Sequence, residues 1–293
     1  MHVLLTGASG FVGRHLHQAL WDRGDDVLAI DLNPTPIVRS GDALDFFRTD
    51  DQRWDLAIHC AAIVGGRASI DGCPFGVATN LALDAWYMRW LVRTGTPRGV
   101  YFSSSAAYPV ALQQPGEICR LVETDIDYEQ PGRPDATYGL AKLTGEQLCQ
   151  YAAAEGVQMT VLRPFSGYGE DQDPCYPYPA FIQRARRRDD PFEIWGSGDS
   201  TRDWIHIDDL VNATLAAVDQ GVSGPLNLGW GRATSFNELA HLVTQAAGYT
   251  PQLKHLPAAP QGVHHRVCDP SRMLDFYQPR ITLEEGIERA LNA

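Results

Sequence analysis

Two rhythms of apolar and polar positions run through the first half of the chain. Short apolar runs over His2–Thr6, 26–30 (ending at Asp31), Leu56–His59, 100–103 and 158–163 read as strands. Between them, apolar residues three and four apart predict helices over 11–23, 78–93 and 138–155. Strands that alternate with helices in this way predict a doubly wound parallel sheet of the α/β class, covered on both faces. After Arg163 the rhythm breaks. Prolines 164, 174, 177, 179 and 191 crowd the chain, and only short strands over Phe192–Trp195 and 204–207 are predicted. Residues 1–163 are therefore expected to form the core, and 164–293 mainly a smaller C-terminal lobe. Segments 208–218 and 225–228, within a returning stretch near 204–230, are expected to rejoin the core. The run Arg184, Arg186, Arg187, Arg188 reads as a solvated helix face.

Composition narrows the function. The 293 residues carry 24 Lys and Arg against 36 Asp and Glu, a formal charge of −12. Such a surface repels phosphate backbones and anionic lipid, so neither nucleic acid nor membrane is an expected partner. No apolar run approaches the roughly 20 residues that span a bilayer, and the first residues do not read as a signal peptide. The cysteines (60, 73, 119, 149, 175 and 268) include no CxxC pair, so no disulfide framework and no metal site is expected. A cytoplasmic protein fits these features.

The first strand runs into Thr6-Gly7-Ala8-Ser9-Gly10-Phe11-Val12-Gly13 and opens a helix. In such a turn Gly7 permits the tight bend, Gly10 lets backbone approach a pyrophosphate, and Gly13 lets helix and strand pack closely. The pyrophosphate rests on the helix N-terminus, whose N–H groups favour an anion. Asp31 ends the second strand about 20 residues on, where a carboxylate binds both hydroxyls of an adenosine ribose. The same charge repels a 2′-phosphate, so NAD is favoured over NADP.

Tyr138-Gly139-Leu140-Ala141-Lys142 puts Tyr and Lys at i and i+4 on one helix face. An ammonium beside a phenol stabilises the phenolate, which suits a general acid/base for alcohol–ketone interconversion. Upstream, Ser103, Ser104 and Ser105 stand at the carboxyl end of a strand, where open α/β sheets bind ligands. A serine hydroxyl there can hold the substrate oxygen while its proton moves.

TGASGFVG, Asp31, HCAA at 59–62, FSSSAAY at 102–108, YGLAK and LRPFSGYG at 162–169 together resemble the extended short-chain dehydrogenase/reductase superfamily. More narrowly, they resemble its NAD-dependent nucleotide-sugar epimerase/dehydratase branch. WGSG at 195–198 and RDWIHIDD at 202–209 continue the likeness, which spans essentially the whole chain. The resemblance implies a Rossmann-type sheet with a substrate-binding C-terminal lobe, and roles at the matching positions. Ser104 would be the catalytic hydroxyl, Tyr138 the acid/base, and Lys142 its partner and a contact to the nicotinamide ribose. Gly7, Gly10, Phe11, Val12 and Gly13 would line the pyrophosphate, and Asp31 the adenosine ribose. Asp42 would reach the adenine, Ala61 and Ala62 would pass beside the cofactor phosphates, and Pro164 would border the nicotinamide. On the substrate side Arg202 would take the diphosphate of the nucleoside-diphosphate sugar, with Arg266 (or His265) as a second contact and Ser105 and Ser166 nearby. The helices at 78–94 and 138–155 match those that pair in relatives, so a homodimer is implied. Trp86, Tyr87, Trp90 and Leu91 offer apolar surface on the first of them, and packing within the subunit explains these residues equally well.

Departures from the family pattern refine the expectation. Its dehydratases carry an acidic pair directly after the catalytic hydroxyl, where this chain has Ser105 and Ala106. Val64-Gly65-Gly66, WGSG and Pro260-Gln261-Gly262 resemble GDP-sugar 3,5-epimerases, but their catalytic cysteine is replaced by Ala106; Cys175 and Tyr176 are the candidate substitutes. What remains is the minimal set for oxidation and re-reduction at C4, hence an NAD-dependent nucleotide-sugar 4-epimerase. The alternatives are a keto-sugar reductase or dehydrogenase, a 3,5-epimerase, and a non-catalytic NAD sensor.

Overall fold

The computed structural model describes residues 1–65 and 75–293; Gly66 and Cys73 lie outside the described residues. Its central sheet has seven parallel strands. From edge to edge they are Gly224–Leu228, Gln158–Pro164, Arg98–Phe102, Leu56–His59, His2–Thr6, Asp26–Asp31 and Arg39–Ser40. Successive side chains of a strand point to opposite faces. In the first strand this sends Val3 and Leu5 into one apolar cluster and Leu4 into the other. The first cluster is closed by helices Phe11–Asp22 and Ile207–Asp219, the second by Ala43–Thr49, Gly76–Thr94 and Ala136–Ala154. With both faces covered, the inner strands can be apolar throughout, and Leu56–His59 is buried at every position.

The sheet order reverses at His2–Thr6, which lies between Asp26–Asp31 and Leu56–His59. A crevice forms outside the carboxyl ends of the strands at such a switch point. A further apolar cluster holds the rest of the chain together through Tyr178, Phe181, Phe192, Trp204, Leu239 and Ile287. Smaller sheets accompany it, including a four-stranded one in which Thr201–Arg202 pairs with His265–Cys268.

The strand Arg39–Ser40 and the helix Ala43–Thr49 were not predicted, because two residues and two turns are too short to display a period. Of the two readings of the apolar residues on helix Gly76–Thr94, packing within the subunit holds for three. Tyr87, Trp90 and Leu91 are fully buried inside the subunit, and Trp86 alone of the four is partly exposed. No helix among the described residues is long and apolar enough to cross a membrane.

Candidate active site

One cavity of about 1100 Å³ runs along the carboxyl ends of the strands and on to the Tyr178–Phe181 apolar cluster. Pockets that hold one drug-sized ligand measure roughly 300–1,000 Å³, so this space is at the large end for a ligand site. At one end lies the glycine-rich turn. Gly7 has φ +73°, and a Cβ there would collide with the Ala61 amide; a Cβ at Gly13 would collide with the Gly7 carbonyl. Packing alone therefore demands glycine at both positions. Gly10 differs, because it is extended (φ −69°) and an added Cβ would meet only Gly7 O, at 3.3 Å. The side of Gly10 that a methyl would fill is open cavity, and this is the cradle a pyrophosphate needs. As N-cap it leaves the first amides of helix Phe11–Asp22 without a side-chain cap, suited to an anion.

A prediction follows from this contrast. Gly10→Ala should cost the fold at most about 1 kcal/mol yet weaken NAD binding about tenfold or more, as read by melting and by calorimetric titration of cofactor-stripped protein. Unchanged NAD affinity would mean that no phosphate approaches Gly10.

Asp31 lies at the end of its strand in the cavity wall. Its two carboxylate oxygens accept from Ser9 N (3.0 Å) and Asn33 N (2.8 Å). These bonds fix the carboxylate and leave lone pairs for two ribose hydroxyls. Asp42 caps helix Ala43–Thr49 through Leu44 N (2.8 Å) and also lines this end, as do Phe11, Val12, Ala61 and Ala62. The donors and acceptors here fit a dinucleotide.

Ser104, Tyr138, Lys142 and Pro164 line the middle of the same cavity. Ser104 Oγ accepts from Ala106 N (3.1 Å), which leaves its proton to donate. Tyr138 and Lys142 stand one turn apart on helix Ala136–Ala154, with Lys142 Nζ 5.9 Å from the Tyr138 ring centroid. Ala136 opens that helix at φ +55°, a left-handed conformation that non-glycine residues adopt at some cost and that clusters at functional sites. Tyr176 lines the cavity too; burial, then the neighbouring Tyr138, pushes its phenol above the usual range, so it can donate a hydrogen bond but is not a base.

A buried network bolts these pieces together. Arg163 and Glu146, both fully buried, form a two-pronged ion pair (Nη2–Oε2 2.7 Å, Nε–Oε1 3.0 Å). Ser103 donates a short bond to Glu146 Oε1, and Tyr128 donates to Oε2 at 2.8 Å. Arg163 Nη1 also donates to Tyr108 OH (3.0 Å), which donates to Asn227 Oδ1 (2.7 Å). Ser103 and Tyr108 flank the serine turn, and Glu146 lies one turn beyond Lys142. The network thus ties the serine turn to the helix that carries Tyr138 and Lys142.

Beyond the sheet the cavity meets three arginines. Arg266 is paired with Asp135 (2.8 Å) and donates to Gln113 Oε1 (2.8 Å). Arg202 donates to the carbonyls of Thr201 (2.7 Å) and His264 (3.4 Å) and stands over the Phe236 ring. Arg184 corrects the solvated-face expectation. It lines the cavity, stacked over Phe181 and Phe192, with no carboxylate in ion-pair range among the described residues. Arg187 and Arg188 do face outward, holding Asp189 and the Ala247 and Gly248 carbonyls.

Of the residues singled out from sequence, Ser105, Ser166 and His265 are not brought to the cavity; His265 is buried against Thr201 Oγ1 (2.9 Å). Ser105 is buried in the short turn that Ser104 caps, and Ser166 belongs to a strand whose neighbours Phe165 and Gly167 face the cavity instead. Cys175 is exposed and lines the cavity beside Tyr176, with Asp173 accepting from its amide (2.8 Å), and Ala106 supplies no proton-transfer group.

A sequence model of the NAD dependent epimerase/dehydratase family matches residues 3–229. GDP-mannose 3,5-epimerase of Arabidopsis thaliana is 27% identical over 310 residues, covering 98% of this chain and 80% of the relative. Among solved structures, UDP-glucose 4-epimerase of Thermotoga maritima with UDP-glucose superposes with a TM-score of 0.84 at 25% identity, covering 100% of this chain and 98% of the other. MoeE5, solved with UDP-glucuronic acid and NAD, gives a TM-score of 0.84 at 28% identity with the same coverage.

Proposed function

Because the chain belongs to the NAD dependent epimerase/dehydratase family, we propose that it inverts C4 of a nucleoside-diphosphate sugar through a transient 4-keto sugar. The observation that carries this reading is the meeting of Ser104, Tyr138 and Lys142 midway along a cavity with a dinucleotide cradle at one end and arginines at the other. Gly7, Gly10, Gly13, Asp31, Ala61 and Ala62 would hold NAD, with Pro164 beside its nicotinamide. When bound, NAD supplies the hydride acceptor and, on the way back, the donor. Tyr138 takes the proton of the 4-hydroxyl during oxidation and returns it during reduction. Ser104 donates to the same oxygen, and Lys142 stabilises the phenolate and binds ribose hydroxyls. Arg202 takes the diphosphate, where a guanidinium suits phosphate oxygens. Arg184 and the Asp135-paired Arg266 complete the positive end. The absence of an acid at Ser105 and Ala106 favours a simple C4 inversion over dehydration.

Two UDP-sugar-bound neighbours, the Thermotoga maritima 4-epimerase and MoeE5, support a nucleotide sugar as ligand. A homodimer through helices Gly76–Thr94 and Ala136–Ala154 completes the reading, supported by exposed Leu140 and Tyr151 on the second of them. The cytoplasm is the compartment proposed. The test is turnover of UDP- and GDP-hexoses followed together with NADH absorbance: epimer should accumulate while absorbance stays flat. Stoichiometric NADH formation would instead establish a net dehydrogenase.

A further inference from the structure

Beneath the site lies a set of buried charged and polar groups that the proposed chemistry leaves unused. Asp84, on helix Gly76–Thr94, is fully buried among apolar neighbours. Its Oδ2 accepts from the Tyr101 hydroxyl at 2.6 Å. Its Oδ1 stands 3.3 Å from His59 Nε2, and neither of those two atoms makes a hydrogen bond. His59 Nδ1 lies 2.7 Å from Thr6 Oγ1, directly before the glycine-rich turn. The Tyr101 ring carries Lys142 Nζ over its face, 4.9 Å from the centroid. Gly145 makes room for this arrangement, since a Cβ there would collide with the Tyr101 hydroxyl. Tyr101 is thus wedged between the helix that carries Asp84 and the helix that carries Lys142.

A buried carboxylate with an oxygen lacking a hydrogen bond is costly unless a charge compensates it. Several groups surround Lys142: Tyr101 from its strand, Asp84 from helix Gly76–Thr94, His59 and Cys60 from the Leu56–His59 edge, and Tyr138, Glu146 and Cys149 from its own helix. Glu146 is already matched by Arg163. Burial lowers the proton affinity of the His59 imidazole and raises that of the Cys60 and Cys149 thiols, so these three are uncharged. Burial also opposes charge on Asp84, yet the Lys142 ammonium above all, with the Tyr101 hydrogen bond, holds its carboxyl below the usual range. Asp84 is therefore the unmatched negative group of this layer, and Lys142 the positive one.

We infer that Asp84 is a positioning residue for Lys142: its carboxylate is the internal counter-charge that, with the Tyr101 ring between them, holds the ammonium beneath Tyr138. This rests on the proposed role of Lys142, but the test does not need the substrate. The chain has two lysines, Lys142 and Lys254. Lys254 is exposed and ion-paired with Glu193 (2.9 Å), remote from this layer, and serves as the internal reference. In protein labelled with isotopic lysine, NMR should show the pH at which the Lys142 signal titrates falling by about one unit in Asp84→Asn, while the Lys254 signal stays. Both limbs of the pH–activity profile should shift to lower pH together, with kcat falling several-fold and KM little changed. Tyr101→Phe keeps the ring and removes the bond to Asp84; it should move the Lys142 signal the same way by less, and it decides the matter if Asp84→Asn does not fold. Identical Lys142 titration in wild type and the folded variants overturns the inference and leaves Asp84 a packing residue. A Lys142 signal that responds in a protein that turns over no nucleotide sugar would sink the proposed function and leave this inference standing.

Discussion

Tyr138→Phe should lower turnover on the order of 10²- to 10⁴-fold, the range over which a positioned acid/base acts, while leaving NAD binding nearly intact. The substitution preserves the ring that Lys142 faces at 5.9 Å and the helix that carries both residues. It removes one hydroxyl, the atom that must take and return the 4-hydroxyl proton. Neither neighbour can replace it. Ser104 is no base, and Tyr176 keeps its proton because burial and Tyr138 raise its phenol. Parallel measurements of kcat and NAD affinity check the claim. Activity within tenfold of wild type would remove Tyr138 from the chemistry.

Glu146→Ala should have the largest effect on stability, a loss of about 3–5 kcal/mol, because it strands a buried guanidinium. Arg163 is 0% exposed and donates two bonds to Glu146. Three elements lose their shared anchor in that variant: the serine turn through Ser103, helix Ala136–Ala154, and strand Gln158–Pro164. Urea unfolding followed by circular dichroism provides the measurement, with Glu146→Gln expected to fall between the two. A midpoint close to wild type would show that water or neighbouring carbonyls satisfy Arg163 without the carboxylate.

Much of this architecture was legible because the physics is local. Strands buried on both faces are apolar without alternation, so Leu56–His59 declares itself as an inner strand, and the positive φ of Gly7 explains the glycine that opens the motif. Other features depend on placement that no short pattern carries. Arg184 reads as one of a run of surface arginines, yet it stands three residues after Phe181 and seven after Pro177, on the face that meets the cavity. That spacing was the available signal. Ser105 and Ser166 share the right segments, but the turn at 105–107 buries the first, and the strand Ser166–Tyr168 keeps the second from the cavity. Asp84 sits among Leu83, Tyr87 and Met88 on the buried face of its helix. A charge in an apolar stripe was the clue, and its meaning required Tyr101 and Lys142 to be seen around it.

The central claim is that inversion occurs at C4 with the sugar's own hydrogen returned to it. Proton NMR of UDP- and GDP-hexoses, hexuronates included, incubated with the purified protein in D₂O without added cofactor tests it directly. The predicted result is a C4 epimer that retains protium at every carbon. Deuterium entering C3 or C5 would place proton exchange at those carbons and contradict the account, as would an absence of conversion unless NAD or a reductant is supplied.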